Sequence, residues 1–196
     1  MLFRRRHAQS VALLFATTGW GCVLMNLRPQ IDVTDYRGEG TISQVRSAEN
    51  PGFKVDFEPF SLAKPFASRY RLEGLPRAHG STPYEAGLAV PLDGVEESEW
   101  PQVPKSLVQG ALGSLAVRLE GPTGEALFEG TTPIGSLSWT RLIADSPFGH
   151  IPAWRYQPDV SGRLSEQPWY LAVLYTPAAD SVDRPANIRL MVGGIH

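Results

Sequence analysis

From residue 41 onward, apolar side chains alternate with polar ones at period two, in short runs that proline or glycine soon interrupts. An amphipathic helix needs its apolar stripe to recur near every 3.6 residues over ten or more positions. A proline inside such a stretch costs about 3 kcal/mol. Seventeen prolines and nineteen glycines leave little room for helices in 196 residues. What fits between them is strand and turn.

The clearest run is FKVDFE at 53–58, with Phe53, Val55 and Phe57 on one face and Lys54, Asp56 and Glu58 on the other. Past Pro59 the parity reverses at Phe60 and Leu62, which predicts a bulge or an edge strand. Weaker alternation occupies 41–46. Residues 68–74 put Tyr70 and Leu72 on one face, and 84–92 do the same with Tyr84, Ala86, Leu88 and Val90. Leu115, Val117 and Leu119 run into Gly121-Pro122-Thr123-Gly124, whose proline and glycine suit a type I turn. Residues 126–129 then return as the second arm of a hairpin. Further strands are expected at 137–143 and 187–192. WYLAVLYT at 169–176, bounded by Pro168 and Pro177, predicts a central strand buried on both faces. Helical spacing is confined to one turn near 104–111. The expected fold is all-β, an antiparallel β-sandwich of about eight strands over residues 41–196.

The N-terminus has a different character. Arg4, Arg5 and Arg6 precede twenty residues, 8–27, that carry no charge, and Arg28 closes the stretch. As a helix this stretch would be about 30 Å long, the thickness of a bilayer's hydrocarbon core. Arginines ahead of it would stay cytoplasmic, placing the following domain on the other side. Residues 1–27 are therefore expected to be a membrane anchor or signal segment, with a single hydrophobic helix. Residues 28–40, polar and containing Pro29, Gly38 and Gly40, are expected to be a tether. Gly21-Cys22 partly resembles the end of a bacterial lipoprotein signal, which makes Cys22 the alternative anchor through lipidation. A cleaved secretory signal is the third reading. The expected location is the cytoplasmic membrane, with the domain on the periplasmic, extracytoplasmic side.

Net charge is −2, and removing the three leading arginines leaves −5 for the remainder. That balance argues against a nucleic-acid partner, which needs a basic footprint. One cysteine cannot form an intramolecular disulfide and makes a cysteine-based metal site improbable. His7, His79, His150 and His196 show no ligand spacing. The carboxylates Asp93, Glu96, Glu97 and Glu99 lack a calcium-loop pattern and read as a solvated acidic loop. Ser114 and Ser136 follow glycines but without a nucleophile elbow. No catalysis, metal or cofactor is expected.

Residues 145–168 form the stretch with functional character: about two dozen residues with no clear strand, holding Phe148, His150, Trp154, Arg155 and Tyr156. Loops of that length are uncommon in compact domains, and Trp, Tyr and Arg dominate binding hot spots. These five residues are the expected binding site, set against the plainer reading that they cap one end of the sandwich. The function expected is a membrane-anchored envelope protein whose sandwich binds another protein or a ligand. A structural accessory subunit and a hydrolase without recognisable motif are the alternatives.

Overall fold

A computed structural model describes residues 31–45, 52–76, 84–91, 113–140, 147–150 and 167–193. Ten strands lie among them: β1 (Thr41–Val45), β2 (Gly52–Ser61), β3 (Phe66–Leu72), β4 (Tyr84–Ala89), β5 (Ser114–Glu120), β6 (Ala126–Pro133), β7 (Ser138–Thr140), β8 (Phe148–His150), β9 (Trp169–Thr176) and β10 (Pro185–Val192). They build two sheets, ordered β1-β2-β10-β4-β8-β7 and β3-β9-β5-β6. Every pairing is antiparallel. The fold is an all-β sandwich, as the alternating runs predict.

Each run turns one parity inward. Phe53, Val55 and Phe57 from β2 meet Leu115, Val117 and Leu119 from β5 and Leu171, Val173 and Tyr175 from β9 in one apolar core. Burying a side chain of this size contributes about 1.5–3 kcal/mol. Aromatic pairs join the two sheets: Phe57 stacks on Tyr70 with ring centroids 4.0 Å apart, and Phe60 stacks on Phe66 at 4.2 Å. Tyr175 donates its hydroxyl hydrogen to the Leu62 carbonyl at 2.6 Å, so a buried polar tip is satisfied.

The parity reversal at Pro59 is a bulge. Asn187 pairs with Pro59 and Arg189 with Asp56, so β2 spends one more residue than β10 across that interval. Pro59 is tolerated because β1 pairs with β2 only as far as Asp56. The β5–β6 hairpin closes through Gly124 N–H donating to Gly121 O at 3.0 Å, with Gly124 at φ +84°. Leu137 lies in the connection after a short 3-10 turn; of the strand expected at 137–143, Ser138–Thr140 form β7 and 141–143 lie outside the described residues.

Two segments differ from expectation. Phe148–His150, inside the stretch expected to lack a strand, pairs with β4 on one side and β7 on the other. Residues 31–40, expected as part of a solvated tether, lie against the sandwich. Ile31 is buried in the core, and Val33 and Tyr36 pack on it. Arg37 N–H donates to Glu73 O at 2.9 Å, Glu39 N–H to Arg71 O at 2.8 Å, and the Gln44 side-chain amide to Ile31 O at 2.8 Å. The segment thus ties β1 to the margin of β3, across one open side of the sandwich. The approach is close. A Cβ on Gly74, at φ +68°, would stand 2.1 Å from the Asp35 carbonyl oxygen.

Three of these packed tyrosines set a pH dependence. Burial raises the phenols of Tyr36, Tyr70 and Tyr175 above their ordinary value of 10.0, with the Glu39 carboxylate adding to the effect at Tyr36. Above that value the unfolded chain gives up these protons before the folded one does. Their contribution is complete below about pH 10 and is lost as pH rises further. Urea midpoints should not fall on this account between pH 7 and 9, then drop steeply toward pH 12, and Tyr175→Phe should shallow that drop. An alkaline limb unchanged in Tyr175→Phe would show that this phenol titrates alike in both states.

Candidate functional site

The expected site residues fall in different places. Phe148 is fully buried on the outer side of the six-stranded sheet, in a small cluster with Met191 on which Val45 packs. His150 ends β8, opposite Gly87 and Ser138. Trp154, Arg155 and Tyr156 lie outside the described residues, as do Cys22, the span 8–27, His79 and the acidic group at 93–99. Among the described residues no helix is long and apolar enough to cross a membrane. Nor do three or more potential metal ligands gather among them.

The two outer sheet faces differ in character. That of the six-stranded sheet carries charge under cover. Arg189 is 3% exposed and Glu85 is 2% exposed. The Arg189 Nε–H donates to Asp56 Oδ1 at 2.6 Å, the Asn187 amide donates to the same oxygen at 2.9 Å, and Lys54 Nζ lies 3.2 Å from Asp56 Oδ2. Charges out of water need such partners. With Phe148 and Met191 buried beside them, the middle of this face forms a second, partly polar core, while Glu58 on β2 stays exposed.

The four-stranded sheet is the reverse. Strand β9, expected to be buried on both faces, is covered on one: Trp169, Leu171, Val173 and Tyr175 point inward, while Leu174 is 52% exposed. Strand pairing sets the outward residues in rows running β3, β9, β5, β6. One row is Ala67, Leu174, Ala116, Thr131, and the next is Arg69, Ala172, Arg118, Glu129. A third begins Arg71, Tyr170, Glu120. A leucine therefore stands among alanines on this face, with charge along one end.

The charged residues hold one another in place. The Arg69 guanidinium lies 3.7 Å from the centroid of the Tyr170 ring and donates through Nε to Glu120 Oε2 at 2.9 Å. Glu120 also pairs with Arg118 Nε at 3.1 Å, and Arg118 Nη1 reaches Glu129 Oε2 at 3.4 Å. Exposed pairs of this kind stabilise a fold by only about 0–1 kcal/mol each. Their larger consequence is order: long side chains already fixed lose less entropy when a partner covers them. Tyrosine and arginine fixed on the same face as an exposed leucine are suited to recognition. Uniform hydropathy in WYLAVLYT hid the outward parity of β9. The signal available was the size difference between Ala172 and its neighbours, which alone does not tell a face apart.

No protein-family model matches the chain, and no curated protein matches its sequence. A solved carbohydrate-binding module specific for non-crystalline cellulose is similar over 81% of this chain and 85% of its own, at 9% identity and a TM-score of 0.29. Similarity that weak bears on neither ligand nor activity.

Proposed function

We propose that this chain is a non-catalytic, membrane-anchored envelope protein whose β-sandwich binds another protein through the outer face of its four-stranded sheet. One observation carries the reading: Leu174 stands exposed on an interior strand of that sheet, ringed by alanines, next to Arg69 stacked on Tyr170. A lone exposed leucine is ordinary. A leucine on a small-residue floor, with a pre-ordered arginine one row away and the tyrosine it stacks on two rows away, matches the apolar centre and polar rim of an interface.

Anchoring rests on the charge-free span 8–27 behind Arg4–Arg6. Because residues 31–40 belong to the folded body, only 28–30 remain as spacer, roughly 10 Å at full extension. A domain held that close favours a partner confined to the same membrane, where effective concentration is high.

Two experiments test this. The full chain should sediment with membranes, and replacing the uncharged stretch's Leu13 and Leu14 with aspartate should release it. A photo-crosslinking residue at position 174 should give a discrete protein adduct that Arg69→Glu weakens, whereas the same residue at Val182, exposed on a separate connection, should give none. Equal labelling at 174 and 182 would remove the face as a docking site.

A further inference from the structure

Resting on the reading of this face as a docking site, we propose that its partner is a second copy of this chain, packed face to face about a two-fold axis parallel to the strands. Four strands in the order β3-β9-β5-β6 put such an axis between β9 and β5. Rotation about it lays β9 over the partner's β5 and β3 over the partner's β6, with each row facing the same row.

Read in that arrangement, the face complements itself. Leu174 comes over the alanine at 116 of the second copy, and Ala172 comes under the arginine at 118. Large meets small in both central rows, and the symmetry repeats each contact. At the margins, Arg69 on β3 meets the carboxylate at 129 on the opposing β6. A two-fold axis running across the strands would instead lay β3 on β3, and passing between their rows it would set Arg69 against the second copy of Arg71. Charge disfavours that arrangement, whereas the first axis opposes arginine with carboxylate. The resulting contact is isologous, as two-fold interfaces must be, and aligned sheets pack about 10 Å apart at a crossing near 30°.

The size agrees with a membrane-confined pair. Four strands about 4.8 Å apart and seven residues at about 3.3 Å each give a flat footprint on the order of 400 Å². That is below the roughly 800 Å² per partner of a standard interface. Such a contact would be weak in free solution and helped by confinement to one membrane.

The test uses the full chain in its own membranes, with Cys22→Ser removing the single native cysteine and with sedimentation of that variant with membranes as the required control, since Cys22 is also the alternative anchor. Leu174→Cys treated with a short bis-maleimide should give a covalent species of twice the 21.5 kDa chain, and Val182→Cys should not. Adding Arg69→Glu should lower the yield about tenfold or more, since like charges then face each other twice, and Arg69→Glu with Glu129→Arg should restore it. A Leu174→Cys adduct with a different protein would overturn self-pairing and leave the docking face standing. Absence of the doubled species, or equal yield from Val182→Cys, would overturn self-pairing, while the docking face itself stands or falls on the photo-crosslink at position 174, which needs no partner thiol.

Discussion

Deleting residues 31–40 from the full chain should unfold the sandwich, although by composition the segment is a hydrophilic spacer. Ile31 is in the core, with Val33 and Tyr36 packed on it. Together these side chains contribute roughly 5 kcal/mol through burial. A typical domain has only about 5–15 kcal/mol in total, so the loss is comparable with the whole margin. The deletion also strips the hydrogen bonds that Arg37 and Glu39 make with the backbone at Glu73 and Arg71. Point variants give graded versions of the same effect. Ile31→Ala should cost about 3 kcal/mol. Gly74→Ala should cost at least about 1 kcal/mol, because a side chain at positive φ is strained and this one would also meet the Asp35 carbonyl. Urea unfolding followed by tryptophan fluorescence measures all three. A deletion variant with the parent's midpoint would show that the segment only rests on the surface.

The same segment shows what local pattern conveys and what it does not. Alternating runs such as 53–58 and 115–119 were legible because half-buried strands need contrast between faces. The hairpin at Gly121–Gly124 was legible because its proline and glycine answer a local backbone demand. In 31–40 the apolar residues are too sparse for a period, and Gly38 serves close approach to the Arg71 carbonyl, which composition cannot distinguish from looseness. Strand β8 is only three residues long and owes its existence to partners on β4 and β7, remote in sequence. The open face was hidden for the opposite reason. Strand β9 is apolar on both parities, and only the exposure of Leu174 against the burial of Leu171, Val173 and Tyr175 separates its outer side from its inner one.

The second large effect is expected at Asp56 and Arg189. Arg189 is nearly sealed from water, and its Nε–H donates to Asp56 at 2.6 Å. Asp56→Ala should destabilise the domain by on the order of 2 kcal/mol, because a buried guanidinium loses the charged hydrogen bond to Asp56. Arg189→Met removes the charge together with its need for a partner and should cost less. Combined, the two changes should cost clearly less than their sum, with a coupling of about 2 kcal/mol in a double-mutant cycle. Raising salt to 1 M should alter that coupling little, since covered charges are poorly screened. The Arg118–Glu129 pair on the open face should show about 0.5 kcal/mol or less and lose most of it at the same salt. The contrast between the two cycles separates the faces energetically, one serving as core and the other free to receive a partner. Equal, salt-sensitive couplings would mean that water reaches Arg189, and the six-stranded face would then have to be considered as an open surface too.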